Sequence, residues 1–446
     1  MYTAIILKNS IKNINSRLAD MYAKTAETGS LFALVSSEYS EDGDVTGDFL
    51  DVIEAGLSCG YEYVNTIIAP KKDKQIHSIS DNVMYIVWFV KDKSKMYFNK
   101  DAIREKHIWK DVEWGKREKN YNPKGKDPGN VWIPTIDDGK GKITEHVFMD
   151  TREIINRLLD ATRHGEVFVS APYTFVAKES SAPASISENA QTGDCKGNIY
   201  FGTSEKMSKI KNGSVDVFIT SPPYWDLKDY FKEGQIGKEP YDSYLQRINT
   251  VWAQCKKKLK PTGSLWINVN IRVRENTPYL LPKDIVTQCK KLGFRYKGII
   301  IWHKSSGIPT HKNNIVDRHE YVLVFAAGEE NRINHDVLSS FCDYKNADIS
   351  GGALWNINRK AGSVGKKYIH PAIYPNELAE RIILSCTNPH DTVGDPFVGS
   401  GTTLIAAVNN KRNFVGYEYY EGFKELMQHR FDNEINGIEI NFAEGI

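Results

Sequence analysis

Thr392-Val393-Gly394-Asp395-Pro396-Phe397-Val398-Gly399-Ser400-Gly401-Thr402-Thr403-Leu404-Ile405-Ala406-Ala407-Val408 reads as a strand end, a glycine-containing loop and a helix. Glycines at 399 and 401 let the backbone approach a ligand closely. The helix N-terminus that follows offers free N–H groups and a positive dipole end suited to a carboxylate. Downstream, Asn413-Phe414-Val415-Gly416-Tyr417-Glu418 reads as the next strand, ending in an acid where Rossmann-like folds hold ribose hydroxyls. Together these pieces predict an α/β fold with a cofactor half-site at one edge of its sheet.

A second segment lies well upstream. Ser214-Val215-Asp216-Val217-Phe218-Ile219 is an apolar, β-branched run that predicts a buried parallel strand, and it delivers Thr220-Ser221-Pro222-Pro223-Tyr224-Trp225 at its C-terminal end. Open α/β sheets place ligands at that edge. Two prolines remove two backbone donors and fix φ, so the carbonyls of Ser221 and Pro222 become rigid acceptors. With the Ser221 hydroxyl they can take both N–H bonds of an exocyclic base amine, while Tyr224 offers a face for stacking. Trp225 either stacks on the base or packs the loop. Asp226 reads as a solvated loop acid.

On these residues the stretch from about 196 to 435 resembles the permuted β group of amino-directed DNA methyltransferases, in which the catalytic half precedes the cofactor half. The resemblance implies a circularly permuted, Rossmann-like, S-adenosylmethionine-dependent methyltransferase fold. Ser221, Pro222, Pro223 and Tyr224 would form the catalytic loop. Asp395, Pro396, Phe397, Gly399, Ser400, Gly401 and Thr402 would cradle S-adenosyl-L-methionine, and Glu418 would bind its ribose. His370-Pro371-Ala372-Ile373-Tyr374-Pro375 resembles the family segment that closes over the methionine part, with His370 and Pro371 as cofactor-binding positions. In that family Ser-Pro-Pro-Tyr is associated with N4-cytosine methylation, and Asp- or Asn-Pro-Pro-Tyr with N6-adenine. One departure stands out: Gly202-Thr203 follows the strand Gly197 to Phe201 where the family has Gly and an acid, so the Thr203 contact to the adenosine carries no charge.

The N-terminal 178 residues read as a worn copy of the catalytic half. Gly29-Ser30-Leu31-Phe32 matches Gly263-Ser264-Leu265-Trp266; Gly60-Tyr61-Glu62-Tyr63 matches Gly293-Phe294-Arg295-Tyr296; and Asn82 to Phe89 matches Arg318 to Phe325. Val131-Trp132-Ile133 matches Leu354-Trp355-Asn356, and Ala171-Pro172-Tyr173 falls at Asp395-Pro396-Phe397. The copy is expected to start after the position of the catalytic loop and to have lost the acid and glycines of the cofactor loop. It would be a degenerate α/β domain serving as a built-in second subunit, an internal pseudo-dimer in a monomer; a homodimer is the other arrangement.

The expected organisation is therefore a degenerate domain at 1–178, a Ser- and Ala-rich linker at 179–194, and a catalytic domain at 195–446 whose target-recognition region spans 305–369. Base contacts are expected around 305–317 and 356–367. The chain has 58 basic and 56 acidic residues, so its net charge of +2 makes no case for nucleic acid, and local clusters must decide. Lys91 to Lys126, especially Lys116 to Lys126, mixes cations with Trp, Tyr, Asn and Gly as phosphate-binding loops do. Lys256-Lys257-Lys258-Leu259-Lys260 suits a helix C-terminus. Six cysteines without metal spacing predict reduced core thiols and no metal site. No apolar run is long enough for a membrane, and a cytoplasmic, nucleoid-associated protein of a prokaryote or phage is expected.

The function expected is transfer of a methyl group from S-adenosylmethionine to N4 of cytosine in double-stranded DNA by base flipping, within a restriction-modification system with a cognate endonuclease. The alternatives are N6-adenine methylation, a non-catalytic DNA-binding protein built from two methyltransferase folds, and methylation of RNA or a small molecule.

Overall fold

The computed structural model describes residues 1–8, 11–71, 78–80, 82–105, 122, 124–137, 143–170, 195–226, 233–304, 314–341, 343–344, 352–359, 363–364, 368–369, 373–435 and 440–445. The chain divides into two compact units: residues 1–181, 303–319 and 342–356 form the first, and residues 182–302, 320–341 and 357–446 the second. The expected linker and the segment Ala171-Pro172-Tyr173 lie outside the described residues, as do 106–121, 305–313 and 365–367.

In the first unit, strands β1 (Tyr2–Lys8), β2 (Thr25–Val35), β3 (Glu62–Pro70), β4 (Val83–Val90) and β5 (Val167–Val169) form a sheet in the order β3-β4-β2-β1-β5. β1 runs parallel to β2 and β5, and β4 antiparallel to β2 and β3. β4, Val-Met-Tyr-Ile-Val-Trp-Phe-Val, is buried at every residue, which is why it carries no alternation of apolar and polar side chains. Helices α1 (Ile14–Lys24), α2 (Phe49–Ser58) and α3 (Thr151–Thr162) accompany it, the last two opened by reciprocal capping boxes of Asp48 with Asp51 and Asp150 with Glu153.

The second unit holds strands β6 (Gly197–Phe201), β7 (Val215–Thr220), β8 (Leu259–Val269), β9 (Arg295–His303), β10 (His319–Ala326), β11 (Thr392–Asp395), β12 (Asn413–Glu418) and β13 (Ile440–Glu444), in the order β9-β10-β8-β7-β11-β12-β6-β13. From β8 to β13 every pairing is parallel, and β10 is antiparallel to β8. Its helices include α4 (Tyr241–Lys258), α5 (Leu281–Lys291), α6 (Asn376–Cys386), α7 (Thr402–Asn409) and α8 (Lys424–Glu434). From β7 the chain passes through α4 to β8 on one side, and from β11 through α7 to β12 on the other. β7 and β11 therefore flank the point where the sheet reverses its order, and there the C-terminal strand ends open a crevice.

The five strands of the first unit repeat the order β9-β10-β8-β7-β11 of the second. The register repeats too: Ala4 pairs with Ser30 and Ser30 with Val90, as Val217 pairs with Ser264 and Ser264 with Ala326. Two details differ from the sequence reading. β1 fills the place of β7, so the first unit begins before the catalytic-loop position. Ile5 pairs with Phe168 as Phe218 pairs with Gly394, which puts Val169, and not Ala171, at the place of Asp395. A strand pairing sets such matches, and without it a two-residue offset is invisible.

Among the described residues no helix is long and apolar enough to cross a membrane.

Candidate functional site

The catalytic loop leaves the end of β7, whose last residue ties it to the other predicted motif. Thr220 Oγ1 donates to Asp395 Oδ1 at 2.8 Å, and the Phe397 N–H donates to the same oxygen at 2.9 Å. Asp395 Oδ2 accepts from the Thr403 hydroxyl and, at 3.5 Å, from the hydroxyl of Tyr374, which also bonds Thr403. Asp395 is 1% exposed, and burial pushes its carboxyl up to about 6 despite these hydrogen bonds. The acid thus acts on its surroundings as a staple joining β7, the loop and the first turn of α7.

The loop itself is held by several further bonds. Gly399 and Gly401 have φ of 55° and 83°, and a Cβ on Gly401 would lie 2.6 Å from the Phe431 ring. Gly399 N–H donates to Glu418 Oε2 at 2.7 Å, and Tyr420 N–H to Glu418 Oε1 at 2.8 Å. Burial pushes Glu418 up to about 7. Arg430 of α8, fully buried, donates at 2.9 Å from one terminal nitrogen to the Ser400 carbonyl, the Ser400 hydroxyl and the Thr402 hydroxyl, and it pairs with Glu434. The hydroxyls of Ser400 and Thr402 therefore accept from Arg430 and keep their own protons to donate. Pro396 is buried, and Phe397 meets Trp252 edge-on.

Thr203 sits beyond β6, whose Phe201 pairs with Glu418, and the Gly202 N–H donates to the Glu418 carbonyl. An acid, Glu205, stands two residues beyond Thr203. Glu205 Oε2 accepts from Thr203 Oγ1 at 2.9 Å, and Arg247 forks onto both carboxylate oxygens at 3.2 and 2.8 Å, holding Glu205 below the usual range. Sequence reading missed it because Arg247 lies on α4, far along the chain. His370 and Pro371 lie outside the described residues; of their segment, Tyr374 is described and reaches the loop.

In the catalytic loop Ser221, Pro223 and Tyr224 are half-buried and Pro222 is buried. The Tyr244 hydroxyl donates to the Pro223 carbonyl at 2.9 Å. Trp225 packs the loop: it is 6% exposed, its indole N–H donates to the Glu239 carbonyl at 2.7 Å, and its ring meets Tyr241, Tyr279 and the Arg274 guanidinium. Asp226, at φ 50°, pairs with Arg274 at 2.9 Å. The Tyr224 hydroxyl donates to Glu320 Oε2 at 3.0 Å, and that oxygen also accepts from Asn268 Nδ2 at 2.7 Å. Neither Glu320 nor Asn268 was foreseen, since strand pairing and not chain order brings them to Tyr224.

Of the Lys116 to Lys126 cluster, Lys124 and Lys126 are described, and each faces an acid, Asp101 and Glu105. Lys256 caps carbonyls of Gly293 and Ala327 beyond the end of its helix.

The DNA methylase family of N6 and N4 methyltransferases matches residues 7–170 and 215–429. The chain is 28% identical over 300 residues to the Type II methyltransferase M.Cfr9I of Citrobacter freundii, covering 58% of this chain and 96% of that one. It is 30% identical over 245 residues to the DNA adenine methyltransferase YhdJ of Escherichia coli, covering 51% and 79%. Among solved structures, TTHA0409 of Thermus thermophilus in complex with S-adenosyl-L-methionine is 27% identical, with 56% of this chain and 99% of that chain covered and a TM-score of 0.43. The family match takes in most of the chain and both motifs, and the chain belongs to the N6 and N4 family of DNA methylases.

Proposed function

We propose that this chain is a site-specific methyltransferase that moves a methyl group from S-adenosyl-L-methionine to N4 of cytosine in duplex DNA. The observation that carries the reading is the joint between Thr220 and Asp395, which sets the Ser221-Pro222-Pro223-Tyr224 loop and the glycine loop side by side at the switch point of one sheet. The residues fit the cofactor: Glu418 offers a buried carboxylate to a ribose diol, Thr203 and Glu205 follow the end of the neighbouring strand, and a side chain at Gly401 would collide with Phe431. When bound, the cofactor supplies an electrophilic sulfonium methyl. Ser221 and the Pro222 carbonyl accept the N–H bonds of a flipped-out base amine, and Tyr224 stacks on its ring. Orientation supplies most of the acceleration, without a covalent enzyme intermediate.

The Ser-Pro-Pro-Tyr sequence favours cytosine. The adenine reading is kept alive by the similarity to YhdJ. We read the chain order of the two motifs as the permuted β arrangement, and the first unit as a degenerate copy, a built-in second subunit in a monomer. Supporting the copy are the repeated strand order and register, and a family match that extends over residues 7–170. Residues 305–369 would read the target sequence. The relatives named Type II suggest a modification enzyme working beside an endonuclease in a prokaryotic cytoplasm.

Incubating the protein with unmethylated genomic DNA and tritiated S-adenosylmethionine, then separating the nucleosides, tests the reading. Label in N4-methylcytosine supports it. Label in N6-methyladenine changes the base, and no label despite cofactor binding removes DNA amine methylation altogether.

A further inference from the structure

The repeated register allows the two sheets to be subtracted from one another. Leu7, Leu34, Met84 and Val169 in the first unit occupy the places of Thr220, Asn268, Glu320 and Asp395 in the second. At all four places the first unit has an apolar residue; Leu34 and Met84 belong to its hydrophobic core. Fold requirements alone therefore do not call for a polar side chain there. Two of the four polar residues, Thr220 and Asp395, form the joint between the motifs. The other two, Asn268 and Glu320, meet Tyr224.

Asn268 leaves β8 beside the catalytic loop. β7 and β8 are parallel, with Thr220 paired to Ile267, so Ser221, just past the end of β7, and Asn268, still within β8, follow at the same level. The Glu320 carboxylate can only accept, and it takes Asn268 Nδ2. This fixes which end of the amide faces Glu320 and turns Oδ1 the other way. Oδ1 is buried and has no hydrogen-bond partner among the described residues, in a side chain 6% exposed. An acceptor buried without a partner costs stability and calls for an explanation, and a ligand that supplies the donor is one.

We propose that Asn268 Oδ1 accepts an N–H of the target base amine, and that Glu320 is the positioning residue that holds both the Asn268 amide and the Tyr224 hydroxyl for it. The inference rests on reading the site as one that methylates an amine. It adds a third acceptor beside Ser221 and Pro222, reached from the adjacent strand.

The test uses the first unit's own residues. Asn268→Leu and Glu320→Met should fold, because the same sheet geometry already houses Leu34 and Met84. Each is expected to keep its S-adenosylmethionine affinity, with a melting temperature lowered by no more than the loss of one buried hydrogen-bond partner brings, while methyl transfer falls roughly tenfold to a hundredfold, as for loss of a hydrogen bond made in the transition state. Glu320→Gln, whose amide oxygen can accept both bonds, should recover most of the turnover. Variants that methylate at the wild-type rate, beside an active wild type and an inactive Ser221→Ala, overturn the inference alone. So does a loss of turnover that only follows a loss of stability and cofactor binding. A wild type that transfers no methyl to DNA overturns the reading of the site and this inference with it.

Discussion

The hydroxyl of Thr220 and the carboxylate of Asp395, 175 residues apart in the chain, meet at 2.8 Å. Each lies at the end of its own strand, and neither is exposed to more than 1%. The two motifs thus share one buried hydrogen bond. Thr220→Val keeps the shape and leaves Asp395 short of a donor. It should cost about 1–3 kcal/mol in denaturant unfolding and weaken S-adenosylmethionine binding. Unchanged cofactor affinity would show that the joint is structural only.

Ser221→Ala and Tyr224→Ala should separate chemistry from binding. Both side chains lie in the catalytic loop, and neither is among the groups that brace the glycine loop. Turnover should fall by roughly a hundredfold while cofactor affinity stays within about twofold. Single-turnover transfer, compared with equilibrium binding of the cofactor, reads the two quantities independently.

Asp395 and Glu418 make stability depend on pH in an uncommon direction. Their carboxyls are pushed up, from 3.8 to about 6 and from 4.5 to about 7, chiefly by burial. The folded state therefore holds protons that the unfolded state has released, and stability falls as pH rises through this window. Each group accounts for up to about 3 kcal/mol. The cofactor-free protein should melt at a higher temperature near pH 5 than at pH 7.5, and Asp395→Asn with Glu418→Gln should flatten the slope.

Cofactor binding should show the opposite trend. Ribose hydroxyls donate to Glu418 most strongly when it is ionised, so binding favours loss of its proton. Affinity should rise from pH 6 to pH 8, with proton release visible as a dependence of the calorimetric heat on the buffer. A Glu418→Gln protein with the same pH profile would rule the residue out as the cause.

Arg430 is a buried cation with a partner on every side. Replacing it with Met strands Glu434 and three oxygens of Ser400 and Thr402, a loss of roughly 3–5 kcal/mol. Lys offers no planar fork and should recover little. Thermal melting with and without S-adenosylmethionine would register both changes.

Much of the second unit was legible because its motifs sit at strand ends, where glycine, proline and acid punctuate apolar runs. Ser221 to Tyr224, Asp395 to Thr402 and Glu418 all occupy such places. Asn268, Glu320 and Arg430 were not legible, because their partners are set by strand pairing and helix packing between residues far apart. Glu320 comes from β10, which is antiparallel to β8, and a single step of register would have turned it to the other face of the sheet. The offset at Val169 has the same origin. Composition could not foresee that Trp225 would be claimed by Tyr241, Tyr279 and Arg274, since the short hairpin of Arg272–Arg274 and Thr277–Tyr279, which supplies two of them, shows no signal beyond its turn at Glu275 and Asn276.

The grip of Arg430 on the glycine loop redraws the outline of the smallest working fragment. Every recognisable motif ends by Glu418, so a fragment trimmed to the motifs would stop short of Lys424, where α8 begins. Such a fragment would carry the complete signature and yet leave Ser400 and Thr402 reaching for a cation that had been cut away. Domain borders drawn around signatures would here discard the side chain that braces the glycine loop.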